Sequence, residues 1–220
     1  MTKPKVYIEV VSDVICPWCY IGKRRMENAV QALEARFDFD IVYSPFELNP
    51  DMPSAGVDQK AFLAKKFGSD DRYAALTQNV TKIAASEGLH YDFERQHVIP
   101  NTRVLHRMIS YARKERKQAE INEAFMKAYF EDGIDLSKTD NILGLCGKVG
   151  LEKSKAEIFL RSDEGLADVE AAELLNHERG ISGVPFFVIN GKYGISGAQQ
   201  AEVLTSAFEE IMKKETPVIG

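Results

Sequence analysis

The feature that most restricts this chain is a Cys-Pro-Trp-Cys motif, Cys16-Pro17-Trp18-Cys19, set directly after a short β-branched apolar run, residues 6–11. A run of that kind suits a strand covered on both faces of a sheet better than one with a solvated face. Pro17 suits the first turn of a helix, where its missing N–H is no loss, and Ile21, Met26, Val30 and Leu33 then mark an apolar side. A second strand is expected over roughly residues 39–46. Strand, helix and strand make a βαβ unit with parallel strands and a right-handed connection, and the two cysteines lie at its strand-to-helix turn.

Between residues 58 and 180 helical segments recur. Gly68, Gly88, Gly133, Gly150 and Gly180 stand as C-terminal stops, with Ser69, Thr102 and Ser137 as candidate N-caps. The pattern predicts an all-helical block of about six helices, with residues 89–101 as its one long loop. After Gly180 strand signals return in Pro185-Phe186-Phe187-Val188-Ile189 and Lys192-Tyr193-Gly194-Ile195, joined by an Asn190-Gly191 hairpin signal. Ser196 and Gln199 fit a capping box, and Val203, Leu204, Phe208 and Ile211 supply the buried side of a last helix. The chain therefore reads as α/β, βαβ…ββα: residues 1–57 and 181–220 form one discontinuous domain, and residues 58–180 form a helical insertion covering one edge of its sheet.

A chain of 220 residues that is 45% hydrophobic and 28% charged buries a real core, which excludes disordered and fibrous classes. A net charge of -5 gives no basic field to hold a phosphate backbone, so nucleic acid is not an expected partner. Met1-Thr2-Lys3-Pro4-Lys5 has the charge of a signal n-region, but the apolar run after it contains Glu9 and reaches Ser12-Asp13 within a few residues. Nor does any stretch approach the roughly 18 apolar residues of a membrane helix. The expectation is a cytoplasmic protein with no membrane partner.

Three cysteines in such a chain do not suggest a structural disulfide framework, because cytosolic thiols are kept reduced. Cys16 at a helix start would place its sulfur near unpaired N–H groups and the positive end of the helix dipole, both of which favour a thiolate. Cys19 lies one turn on along the same face, able to reach back and close a disulfide. That is an accessible attacker and a covered resolver. Half a zinc site, or two unrelated buried thiols, are the competing readings. Against zinc, His90, His97, His106 and Cys146 are scattered and no second Cys-X-X-Cys exists, so no metal is expected. Cys146, within an apolar helical stripe, reads as a small buried hydrophobe. Pro185 alone reads as an ordinary strand-leading proline, and His106 as a lone helical histidine able to face the cysteines.

Taken together, Ser12-Asp13-Val14-Ile15-Cys16-Pro17-Trp18-Cys19-Tyr20-Ile21-Gly22, Phe46-Glu47-Leu48-Asn49-Pro50, Asn101-Thr102 with His106-Arg107, Gly183-Val184-Pro185-Phe186-Phe187-Val188 and Ser196-Gly197-Ala198-Gln199 resemble the DsbA-like thioredoxin family, in its FrnE-like branch. The resemblance spans nearly the whole chain. It implies a thioredoxin-like fold with a helical insertion, a cis bond before Pro185, that proline beside the cysteine pair, and a Val184 backbone offering strand-like hydrogen bonds to a peptide or glutathione. It also implies a thiol-disulfide oxidoreductase in which Cys16, Cys19 and Pro185 are the catalytic set, and Pro17, Trp18, Val184 and His106 face the substrate. No cofactor is implied beyond the redox-active pair, with glutathione as a possible co-substrate. The glutathione-dependent 2-hydroxychromene-2-carboxylate isomerases and kappa-class glutathione transferases are similar in plan, but typically carry Ser where this chain has Cys16. They supply the alternative reading, an isomerase or transferase of a small aromatic or polyketide-like substrate. Two departures stand out: Leu105 where the branch usually has Ala, and Trp18 where DsbA has His.

Overall fold

The computed structural model describes residues 3–215. Met1 and Thr2, and residues 216–220 of the expected C-terminal segment, lie outside them. The first strand, β1 (Lys5–Ser12), is followed by α1 (Pro17–Leu33) and by β2 (Asp38–Pro45), which pairs with β1 in parallel from Lys5 opposite Asp38 to Ser12 opposite Pro45. This is the expected βαβ unit. At the other end of the chain β5 (Phe186–Ile189) pairs antiparallel with β1, and β6 (Tyr193–Ser196) with β5, giving the order β2-β1-β5-β6. The last helix, α9 (Ala201–Glu215), packs on α1. One sheet is thus assembled from both ends of the chain, with β1 in the middle.

Val6, Ile8, Val10 and Val11 are buried, whereas Tyr7 and Glu9 are half-buried. The expected two-faced burial of β1 therefore holds only towards its C-terminal end, because a cavity opens beside Tyr7 and Glu9. At the hairpin, Asn190 and Gly191 both take positive φ (51° and 68°), and the Ile189 carbonyl accepts the Lys192 N–H at 3.1 Å. The Asn190 side chain also accepts the Tyr7 N–H at 2.9 Å, which pins the turn to β1.

The intervening chain forms a short β3 (Val57–Asp58), α2 (Gln59–Phe67), α3 (Asp70–Ser86), β4 (Val98–Ile99), α4 (Arg103–Lys114), α5 (Gln118–Phe130), α6 (Thr139–Lys148), α7 (Lys153–Arg161) and α8 (Leu166–Glu178). Among the described residues that is seven helices, one more than the pattern suggested. The stretch expected as one loop also contains β4, which pairs antiparallel with β3. Ser69 caps α3 as expected, accepting the Arg72 N–H at 3.2 Å. Thr102 holds the cap position of α4, but the acceptor there is Asn101, whose Oδ1 takes the Arg103 N–H at 3.0 Å. Ser137 does not cap α6; its hydroxyl donates to Asp135 Oδ1 at 2.6 Å, and the cap position falls on Lys138. Ser196 and Gln199 are not a capping box either. Ser196 ends β6, Gly197 turns the chain at φ 80°, and Gln199 donates to the Ser196 carbonyl before α9 begins. On α9, Val203 is half exposed, and Met212 joins Leu204, Phe208 and Ile211 on the buried side.

Charged groups bind α1 to the rest. Lys23, 3% exposed, sits between Glu27 and Glu123; Arg24 reaches Glu123; Arg25 donates to Glu87 at 2.6 Å and to the Ala198 carbonyl at 2.7 Å. Buried charges survive only when paired in this way.

The edge of β2 is closed by side chains. Gln118, at the start of α5, accepts the Tyr43 N–H and donates to the Tyr43 carbonyl, both at 3.1 Å, in the manner of a neighbouring strand. Asn176 of α8 donates to the Pro45 carbonyl at 3.1 Å. Helices α4, α5 and α8 all rest on β2, so the insertion does cover this edge. A Gln118→Met substitution keeps the bulk but orphans both Tyr43 groups, and we expect a loss of about 2 kcal/mol or more, read by denaturant unfolding.

Candidate active site

After Ser12 the chain turns, and the Asp13 carbonyl accepts the Cys16 N–H at 3.1 Å. Cys16 stands at the N-cap position of α1 in an extended conformation (φ -87°, ψ 114°), with Pro17 opening the helix. The Cys16 carbonyl then accepts the Cys19 N–H at 3.0 Å. The sequence folds this way because proline cannot continue a strand ladder yet fits a first helical turn.

Cys16 and Cys19 are free thiols, 4% and 1% exposed. The expected accessible attacker is therefore more covered than its position suggested, since the chain from the other end of the molecule crosses over it. Cys16 Sγ lies 3.7 Å from the Val184 carbonyl oxygen, and the Val184-Pro185 bond is cis, as the resemblance implied. The Pro185 ring packs on Gly22 of α1, where an added Cβ would stand 2.9 Å from Pro185 Cγ. On the opposite flank Tyr91 donates its hydroxyl to the Pro17 carbonyl at 2.7 Å and stacks on Phe130 with ring centroids 4.7 Å apart. Trp18, 38% exposed, is what projects from this surface.

The two thiols are not equivalent. Burial pushes the Cys19 thiol well above its ordinary value, and contact with Cys16 pushes it further; a hydrogen bond from the Asp13 backbone amide works the other way. Cys146, buried in α6, is pushed up to about 11 by burial and stands apart as the expected small hydrophobe.

Beneath the turn lies a cluster of polar side chains. The Asp13 carboxylate is fully buried; its Oδ2 accepts the Leu48 N–H at 2.8 Å, and its Oδ1 lies 3.4 Å from His106 Nε2. Next to it Glu47 pairs with Arg103 at 2.7 Å, and its backbone N–H donates to Glu173 at 2.7 Å. Burial raises the Glu47 carboxyl, with Arg103 opposing.

The structure thus brings together Cys16, Pro17, Trp18, Cys19, Val184 and Pro185. His106, 5% exposed, is placed under the turn against Asp13, away from the outer surface where a substrate contact was expected. Asp13, Gly22, Glu47 and Tyr91 were missed as site residues. Asp13 carried a signal, a lone carboxylate in an otherwise apolar strand-to-helix turn; Tyr91 carried none, because it arrives from a loop far away in sequence. No group of three or more His, Cys, Asp or Glu able to hold a metal occurs among the described residues.

Comparisons with known proteins bear on the family and the fold. The chain is 26% identical over 212 residues to the uncharacterized protein YwbO of Bacillus subtilis, covering 96% of this chain and 99% of that one. Among solved structures, the probable DsbA oxidoreductase SCO1869 of Streptomyces coelicolor is 32% identical with a TM-score of 0.90, over 97% of this chain and 92% of that one. The cytosolic disulfide reductase DsbM of Pseudomonas aeruginosa, solved with GSH, shares the fold with a TM-score of 0.68 at 16% identity, over 94% of this chain and 99% of that one. The model of the DSBA-like thioredoxin domain matches residues 7–209, nearly all of the described chain, and this protein therefore belongs to that family.

Proposed function

We propose that this protein is a cytoplasmic thiol-disulfide oxidoreductase that works through the Cys16-Cys19 pair, with protein or small-molecule disulfides as substrates and glutathione as a co-substrate. The observation that carries this reading is the pairing of two chemically unequal thiols at one helix start, the first 3.7 Å from the Val184 carbonyl. The Cys16 thiolate attacks one sulfur of a substrate disulfide; a Cys16-substrate disulfide forms and the first thiol departs, taking up a proton. Cys19, once deprotonated, attacks Cys16 Sγ, forming the Cys16-Cys19 disulfide and releasing the second thiol, so two electrons pass from the pair to the substrate. Run backwards, the same steps oxidise a dithiol.

Pro17 and the exposed Trp18 give the substrate an apolar surface, and Val184 gives it backbone hydrogen bonds. The Val184 N–H has no acceptor among the described residues, which suits an incoming extended segment. Glutathione and the cytoplasm are supported by likeness in fold to a cytosolic reductase solved with GSH. No helix among the described residues is long and apolar enough to cross a membrane. The alternative, a glutathione-dependent isomerase or transferase, needs only Cys16 to activate glutathione and leaves Cys19 without a task.

A disulfide reductase assay with and without glutathione separates these readings. Cys16→Ser is expected to abolish turnover, and Cys19→Ser to stall as a Cys16 mixed disulfide visible by mass spectrometry. Turnover of a small substrate by Cys19→Ser with no thiol consumed would instead support the isomerase. Because the Cys19 thiol is raised by burial, the resolving step should accelerate as pH rises into the alkaline range, following growth of its thiolate; a rate already level at neutral pH contradicts this. Gly22→Ala tests the seat of Pro185. Alanine gains about 1 kcal/mol in helix propensity, but overpacking against a rigid ring costs about 1–3 kcal/mol, so a net loss of stability and slower exchange are expected in unfolding and turnover measurements.

A further inference from the structure

A hydroxyl from the helical segment reaches into the cysteine turn. Tyr91, 7% exposed, lies between α3 and β4 and donates to the Pro17 carbonyl at 2.7 Å. It is firmly seated. Its ring stacks on Phe130 with centroids 4.7 Å apart, meets Phe93 edge-on at 5.9 Å and lies 6.0 Å from Tyr20 on α1. The backbone on either side is tied down as well: the Ala84 carbonyl accepts the Leu89 N–H at 3.0 Å, and the Phe130 carbonyl accepts the Asp92 N–H at 2.8 Å. Burial holds the hydroxyl well above its ordinary value, so it remains a donor at working pH.

The bond falls on a carbonyl that does not lack a partner. Pro17 opens α1, and a carbonyl at that place in a helix takes the N–H four residues on. The Tyr91 hydroxyl is therefore a second donor to it, and what it adds is polarisation of the Pro17-Trp18 peptide. The N–H of that same peptide, the second amide of the helix, has no acceptor among the described residues. An N-cap side chain takes hydrogen bonds from the second and third amides of its helix. Cys16 is the N-cap here, and the third amide, that of Cys19, already donates to the Cys16 carbonyl at 3.0 Å. As a neutral thiol, Cys16 Sγ donates to the Val184 carbonyl. As a thiolate it can only accept, and the Trp18 N–H is the amide left for it.

We propose that Tyr91 is a positioning residue that acts through the Pro17-Trp18 peptide to stabilise the Cys16 thiolate, and so tunes how readily the Cys16-Cys19 disulfide is reduced. The inference rests on the oxidoreductase reading. Hydrogen bonds in line polarise one another: the Tyr91 hydroxyl draws electron density onto the Pro17 oxygen, and the Trp18 N–H becomes a stronger donor to anionic sulfur. Charge on Cys16 exists only in the reduced protein, so the effect belongs to that state alone. In the exchange with glutathione, the protein disulfide and two glutathione thiols give the protein dithiol and one glutathione disulfide. A stabilised Cys16 thiolate moves that equilibrium toward the dithiol. The titratable groups around Cys16 are Cys19 and Tyr20 on α1, Asp13 ahead of it, His106 on α4, Tyr91 itself and Glu131 after α5, while residues 183–188 of the facing segment hold none.

Tyr91→Phe deletes the hydroxyl and keeps the stacked ring. In the reduced full-length protein, alkylation of Cys16 by iodoacetamide is followed against pH by mass spectrometry, and the Cys16-Cys19 pair is separately equilibrated with reduced and oxidised glutathione. The variant is expected to hold the Cys16 proton about threefold more tightly, and to show an equilibrium constant for reduction about threefold lower at pH above the wild-type alkylation midpoint, with no difference well below it. A hydroxyl that only braced its loop would lower unfolding stability and leave both readings unchanged, and that result overturns the proposal. Should Tyr91→Phe fail to fold, 3-fluorotyrosine at position 91 decides, because it is a stronger donor of nearly the same shape. A Cys16 midpoint moved to lower pH supports the proposal, and an unmoved one overturns it. A wild-type protein that forms no Cys16-Cys19 disulfide in the glutathione buffers overturns the oxidoreductase reading instead, while the alkylation profile still decides the role of Tyr91.

Discussion

The site depends first on the double pairing of β1. Hydrogen-bonded to β2 along its whole length and to β5 along its second half, β1 is held on both sides, and its C-terminal end can deliver Asp13 and the cysteine turn to one place only. The same pairing with β5 brings the Val184-Pro185 segment alongside, because Val11 lies opposite Phe186. Two stretches more than 160 residues apart in the chain therefore meet at a sulfur atom through backbone geometry alone. Burial of Val6, Ile8 and Val10 then makes any slip of this register costly, since a one-residue shift would turn the apolar side outward.

Around that frame, charge has been buried sparingly and always in company. Lys23 and Arg25 fix α1 to its neighbours through carboxylates, and Glu47 is held by Arg103. Asp13 has been placed differently: it accepts the Leu48 N–H at 2.8 Å and the Ile15 N–H at 3.5 Å, with the His106 imidazole 3.4 Å away. The thiols show the same economy. Cys16 keeps a sliver of exposure at the helix start, and burial raises the Cys19 thiol above its ordinary value.

Much of this was legible beforehand. The β-branched run, Pro17 at a helix start and the Asn190-Gly191 turn are local signals, each tied to one backbone geometry, and they placed the strands and the cysteine turn well. What failed was either finely local or distant. Ser137 and Ser196 have the chemistry of caps, but neighbouring Asp135 and Gly197 redirected them. Val203 has the right spacing for burial and is exposed because α9 presents Met212 instead. The contacts of Tyr91, Gly22 and Gln118 come from pairings no local pattern encodes, and the covering of Cys16 follows from another long-range approach, that of the Val184-Pro185 segment.

Gln118 also bears on how separable the helical segment is. By answering both backbone groups of Tyr43 it stands in for the strand that a wider sheet would have there, and Asn176 answers the Pro45 carbonyl. The sheet has in effect delegated its own boundary to residues from α5 and α8. An excised version made only of the two chain ends would bare that boundary and invite other chains to add to it. In lineages carrying this architecture, insertions and deletions should gather around α6 and α7, while the starts of α5 and the middle of α8 keep their distance from β2.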